Sequence, residues 1–155
     1  MPRTATADRV ELPELLDFVR TRHHHLLTTY RSSDGGLQTS PVSAGVDAEG
    51  RVVIATYPQR AKVANLRKRS DCSLLVLSDD WDGPWVQVDG TAEVLDLPEA
   101  LEPLVDYFRV IAGEHSDWDD YRAAMQRQGK CLVRVTPTRW GPIATAGFPP
   151  ELSEG

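Results

Sequence analysis

The 155 residues carry 17 Lys and Arg against 23 Asp and Glu, a formal net charge of -6, with 41% hydrophobic and 26% charged residues. That length suits one domain core and not two, and the composition is globular rather than disordered. The acidity argues against a non-specific nucleic-acid binder, so any anion site must be local.

The start, MPRTATADRVELPELL, has no apolar run of signal-peptide length, and no segment approaches the roughly 20 apolar residues of a membrane span. A cytoplasmic protein without a membrane or nucleic-acid partner is expected. ELPELLDFVRTR (11–22) sets Leu12, Leu15, Leu16 and Val19 at helical spacing, with Pro13 tolerated in the first turn. Three strands follow, Leu26–Arg31, Leu37–Val46 and Arg51–Tyr57, joined by the turn signals SSDGG and DAEG. QRAKVANLRKRS breaks the strand pattern and predicts a short helix with Ala61, Val63 and Leu66 on one stripe. CSLLVLSDD and PWVQVDGTAEVLD are two more strands divided by a Trp/Asp/Gly/Pro loop.

LPEALEPLVDYFRVIAGE then places Leu101, Leu104, Val105, Phe108 and Ile111 on one helical face, with Gly113 as a stop signal. HSDWDDYRAAMQRQGK predicts a second helix, with Ser116 and Asp119 at capping-box spacing and Gly129 at its end. KCLVRVTPTRWGP returns to strand alternation. The sum is an α+β fold, six antiparallel strands with peripheral helices, in which closure into a barrel would remove exposed edges. FPPELSEG at the end is Pro-rich and polar, a segment expected to fray or lie on a surface.

The stretch from Tyr57 to Asp71 gathers Arg60, Lys62, Arg67, Lys68 and Arg69 in an otherwise acidic chain. A helix start beside a strand end offers unpaired N–H groups, and the guanidinium of Arg60 and ammonium of Lys62 add charge there that suits a phosphate. The later three suit the negative end of the helix macrodipole without any ligand. By composition alone, a solvated basic face accounts for the same letters.

Other conspicuous groups have structural explanations. His23, His24 and His25 are adjacent and point in different directions, so no shared metal is expected. His115, Asp117, Asp119 and Asp120 could form a cation or acid–base site, but capping and the helix dipole explain the same letters and are the preferred reading. Trp118 and Tyr121 are expected packing anchors, and Ser32, Ser33 and Asp34 a turn. Cys72 and Cys131 have neither metal nor redox spacing and are expected to be buried free thiols.

The order of IATYPQRAKVANLRKRSDCSLLVL, PWVQVDGTAEV and YFRVIAGEHSDWDDYRAAM resembles the split β-barrel flavin and deazaflavin oxidoreductases, the pyridoxamine-phosphate-oxidase-like group. Within it the chain is most similar to the actinobacterial branch that uses coenzyme F420. The carrying motifs are R-x-K-x-x-N-L (Arg60, Lys62, Asn65, Leu66) and G-E-H-S-D-W-D-D-Y (Gly113–Tyr121). The likeness implies a single split β-barrel cofactor-binding domain over residues 10–145, followed by a tail, 146–155.

It further implies a homodimer with each cofactor in an interfacial groove. Arg60 and Lys62 would grip its phosphate, with backbone N–H groups from Ala61 and Val63, and Asn65 belongs to the same motif. Ala55, Thr56 and Tyr57 would lie along the phosphate and linker, Thr39, Ser40, Pro41 and Val42 would line the ring, and Trp85 would approach the partner's cofactor. The basic field would also attract the acidic oligoglutamate tail of F420. The implied activity is hydride transfer from reduced F420 to a conjugated carbonyl, quinone or tetrapyrrole-like acceptor, with no catalytic side chain and no metal assigned. Alternatives are an FMN-binding oxidase or reductase on the same fold, and an F420-binding protein without turnover. Two features depart from relatives: Asp34-Gly35-Gly36-Leu37 replaces an Arg-Pro pair before the second strand, and Pro41 removes a backbone donor.

Overall fold

The structure is a computed structural model that describes residues 3–152; Met1, Pro2 and the last three residues of the expected tail lie outside them. The elements are β1 (Thr6–Asp8), α1 (Leu12–Arg20), β2 (His24–Tyr30), β3 (Leu37–Val46), β4 (Val52–Thr56) and α2 (Ala61–Lys68). They continue with β5 (Asp71–Val76), β6 (Val86–Leu95), α3 (Leu101–Ala112), α4 (Trp118–Gln128), β7 (Cys131–Trp140), β8 (Ile143–Thr145) and a 3-10 turn (Pro150–Leu152). Among the described residues, no helix is long and apolar enough to cross a membrane.

Period-two alternation decides which way each strand faces. In β2, His25, Leu27 and Thr29 are buried, and in β5 so are Cys72, Leu74 and Val76. The expected α+β fold forms: six strands close into an antiparallel barrel in the order β2-β3-β4-β7-β6-β5. Leu27, Ile54, Leu74, Val88 and Val133 fill it together with Leu15, Leu16 and Val19 of α1. Each such side chain contributes about 1.5–3 kcal/mol on burial. A second apolar cluster lies between α3, α4 and the opposite faces of β4 and β7: Val53 and Leu132 meet Leu104, Val105, Tyr121 and Met125. The Tyr121 hydroxyl donates to the Leu104 carbonyl at 2.9 Å.

One seam of the barrel is incomplete. β3 pairs with β2 over its whole outer half, Leu37 to Ser43, but with β4 only at Ala44, Gly45 and Val46. Beyond Ala44 and Ile54 the two strands part, so the β4-facing edge of Gln38–Ser43 is open, and α2 follows β4 directly.

Three details differ from the sequence-based expectation. β1 and β8 form a separate two-stranded sheet, with Thr4 bridging Phe148. The N-cap of α4 is Asp117, not Ser116; its carboxylate accepts from the Asp120 N–H at 3.1 Å. Ser116–Asp119 and Asp117–Asp120 have the same spacing, and the one that supplies the acceptor wins. β6 also carries a register shift between Asp89 and Gly90. Gly129, at φ 64°, ends α4 in the left-handed conformation, as expected of its sequence.

Candidate cofactor groove

The parting of β3 and β4 opens a groove of about 480 Å³. Gln38 and Ser40 line it from β3, Ala55, Thr56 and Tyr57 from the end of β4, and Arg60, Ala61 and Lys62 from the start of α2. Strand alternation explains the choice on β3: Gln38, Ser40 and Val42 are partly buried, while Leu37, Thr39 and Pro41 are exposed on the other face.

The start of α2 is unusual for a helix without a ligand. Its N-cap, Arg60, has φ -72° and ψ 143° but supplies no side-chain acceptor, and the first turn holds no acidic residue. The Val63 N–H is bonded to the Arg60 carbonyl at 3.0 Å, but the N–H groups of Ala61 and Lys62 have no partner among the described residues. Two open donors and two cations therefore sit at the positive end of the helix. The Lys62 Nζ lies 3.4 Å from Ser40 Oγ, and its ammonium pKa is lowered, first by desolvation and then by the charge of Arg60.

A third cation stands beside Tyr57, one of the groove's lining residues. Lys130 Nζ lies 5.2 Å from the Tyr57 ring centre and the Arg60 guanidinium 5.8 Å, while the Tyr57 hydroxyl donates to Gln128 Oε1 at 3.4 Å. Elsewhere arginines are matched with carboxylates: Arg51 with Asp47, Arg67 with Asp96, Arg122 with Glu102, Arg134 with Glu93. Arg60, Lys62 and Lys130 have no carboxylate partner among the described residues. The basic stretch thus divides by role. Arg67 and Arg69 are held by Asp96 and Asp71, Arg69 also stacks on Tyr30 at 3.6 Å, and Lys68 donates to the Ser32 carbonyl at 2.6 Å.

Of the expected site residues, Ser40, Ala55, Thr56, Tyr57, Arg60, Ala61 and Lys62 come together in this groove. Thr39 and Pro41 face away from it; Thr39 Oγ1 lies 2.8 Å from Thr28 Oγ1, and Val42 packs against the core. Val63 is a fully buried core residue whose N–H is already taken. Asn65 is 4% exposed and faces β2 rather than the groove. Trp85 stands before β6, doubly bonded to Ala144 at 2.9 Å, outside the groove lining and 39% exposed. Two residues of the site went unread in the sequence. Gln38 has a signal, since it precedes Ser40 by two in a strand; Lys130 has none, because only closure of the barrel brings β7 beside β4.

The remaining candidates are structural. His23 Nδ1 bonds the Ala44 carbonyl at 2.8 Å, His24 faces Asp79 and His25 is buried. Phe108, His115, Trp118 and Tyr121 form one ring cluster with centroids 5.0–5.8 Å apart. Cys72 and Cys131 are buried and free, and burial pushes their thiols up to about 12 and about 11. What the groove can do is hold an anion at the helix start and lay a flat group along an open strand edge.

Comparison with known proteins agrees with this architecture. The sequence profile of the family described as pyridoxamine 5'-phosphate oxidase matches residues 12–144. Among solved structures, a conserved hypothetical protein of Mycobacterium tuberculosis is similar with a TM-score of 0.72 at 23% identity, covering 91% of this chain and 89% of that one. An F420 reductase is similar at TM-score 0.60 and 17% identity, over 80% of this chain and 94% of that one. General Stress Protein 26 of Bacillus anthracis gives 0.60 at 13% identity, with coverage of 86% and 95%. Likenesses this distant establish the shared fold.

Proposed function

The chain belongs to the pyridoxamine 5'-phosphate oxidase family, and from that premise we propose that it is a coenzyme F420-dependent oxidoreductase, acting as a homodimer on a conjugated small-molecule acceptor. The observation that carries the proposal is the uncapped, doubly cationic start of α2, open to a groove between parted strands. An unliganded helix gains nothing from such a terminus; an anionic cofactor satisfies both the N–H groups and the charges. The residues present fit a phosphate-bearing ring cofactor.

Arg60 and Lys62 hold the phosphate, together with the open N–H groups of Ala61 and Lys62, and Ser40 fixes the Lys62 ammonium from across the groove. Ala55, Thr56 and Tyr57 flank the linker, and the open edge of β3 borders the ring system. F420 is favoured over FMN by the third cation, Lys130, which exceeds what one phosphate needs and suits carboxylates of an acidic tail. That a protein of the same fold is an F420 reductase is consistent with this choice. When bound, reduced F420 supplies a hydride. The chain's own contribution is to bind, orient and shield, and the proton that completes reduction of the acceptor comes from solvent.

The test is a side-by-side titration of the purified protein with F420 and FMN, followed by intrinsic tryptophan fluorescence. Selective, salt-sensitive binding of F420 is expected. Preference for FMN overturns the deazaflavin assignment, and binding of neither overturns the cofactor assignment as a whole.

A further inference from the structure

Gln38 enters the groove on the same face of β3 as Ser40, and its amide is oriented by a hydrogen-bond relay that begins at a backbone donor. The Ser32 N–H can only donate, so the atom 3.0 Å from it is Asn65 Oδ1. That turns Asn65 Nδ2 toward Thr29 Oγ1, to which it donates at 3.0 Å. Having accepted there, the Thr29 hydroxyl directs its own proton to Gln38 Oε1 at 3.2 Å. Gln38 is left with Nε2 as its free end, and that donor has no partner among the described residues. Thr29 and Asn65 are 0% and 4% exposed, so water does not compete for these bonds and the relay has one polarity.

Resting on the cofactor assignment above, we infer that Gln38 is a cofactor-contacting residue whose Nε2 donates to an acceptor atom, a carbonyl oxygen or unprotonated nitrogen, of the bound ring system, and that Thr29 and Asn65 are its positioning residues. This gives Asn65 a role that its distance from the groove would otherwise deny it: the motif R-x-K-x-x-N places the charges on one side of α2 and the root of the relay on the other. A neutral donor of fixed direction selects for ring orientation, which cations that grip the phosphate do not do.

The inference is tested in the full-length protein by following the Gln38 side-chain NH2 signals in nitrogen-15 NMR, assigned by their loss in Gln38→Met, during titration with F420 and with FMN. The amide signals are expected to move on saturation, and Gln38→Met, which leaves the buried Thr29 hydroxyl without its acceptor and so lowers the thermal midpoint, to bind about 5–10-fold more weakly at a temperature where it is folded. Thr29→Val keeps Gln38 but removes the orienting hydroxyl; combined with Gln38→Met it is expected to add no further loss of affinity. Tight binding by the wild-type protein with unmoved amide signals, or with Gln38→Met equal to wild type, overturns this inference alone. Failure of the wild-type protein to bind either cofactor overturns the cofactor assignment and this inference together.

Discussion

Arg60 occupies a position where a helix in isolation favours an acceptor. Ser, Thr, Asp or Asn at an N-cap stabilises by about 0.5–2 kcal/mol over a residue with no acceptor, and Arg60 already has extended cap dihedrals, φ -72° and ψ 143°. Arg60→Ser is therefore expected to stabilise the cofactor-free protein by about 1 kcal/mol while weakening cofactor binding at least tenfold. Urea unfolding and fluorescence titration measure the two effects, and a destabilised variant would mean that the N–H groups are satisfied without a ligand. His25 shows the opposite economy, a stabilising site that has nothing to do with the groove. Its ring bonds the Arg22 carbonyl through Nε2 at 2.8 Å, and Nδ1 has no partner. Burial holds its pKa down from 6.5 to about 4, against the raising effect of the Arg22 carbonyl and with the charges of His23 and His24 adding to the depression. As pH falls, the unfolded chain takes the proton first, so this contribution is complete above about 6.5 and is lost toward about 4, up to roughly 3 kcal/mol. Unfolding free energies across that window should decline more steeply in the wild type than in His25→Leu.

Long elements were legible because each repeats its pattern several times. β3, β6 and β7 run for ten residues each, and α3 for twelve. β1 and β8 span three residues, too few to show a period, and exist only because the two ends of the chain meet. The register shift in β6 was equally silent, although a glycine inside a strand is its usual sign. At Gly90 an added Cβ would lie 2.5 Å from Val135 Cγ1 and 2.6 Å from the Thr136 carbonyl oxygen. Both neighbours belong to β7, the antiparallel strand with which β6 pairs, so Gly90→Ala is expected to cost about 1–3 kcal/mol in chemical denaturation. Because β6 does not line the groove, cofactor affinity at a temperature where the variant is folded should be unchanged. The site divides in the same way. Arg60 and Lys62 were legible from local spacing at a strand-to-helix junction, whereas Gln38 and Lys130 belong to the site through the parting of one seam and the closure of another.

The two sides of the barrel are unequally covered. α3 and α4 pack over the outer faces of β4 and β7. On the opposite side, Leu26, Tyr30, Leu37 and Leu75, interleaved with polar residues such as Asp71, Gln87 and Asp89, line an open hollow of about 670 Å³ on β2, β3, β5 and β6 that reaches Thr138 of β7, and Leu37 is 61% exposed. Apolar side chains grouped on an uncovered sheet favour association, and the proposed homodimer supplies a second copy to cover them. The hollow shares β3 with the groove, on the alternate residues: Thr39 faces the hollow and Gln38 and Ser40 the groove. Burying one face of β3 against a partner would hold the other face in position, so assembly and cofactor binding should fail together. Leu37→Asp puts a charge onto that surface without touching the barrel interior, and an exposed position of this kind changes monomer stability by only about 0.5 kcal/mol. Light scattering is expected to show the variant at half the wild-type mass, with an unchanged circular dichroism spectrum and weakened F420 binding. A folded variant of wild-type dimeric mass would remove this face as the interface, and a monomer that binds F420 normally would separate the groove from the assembly.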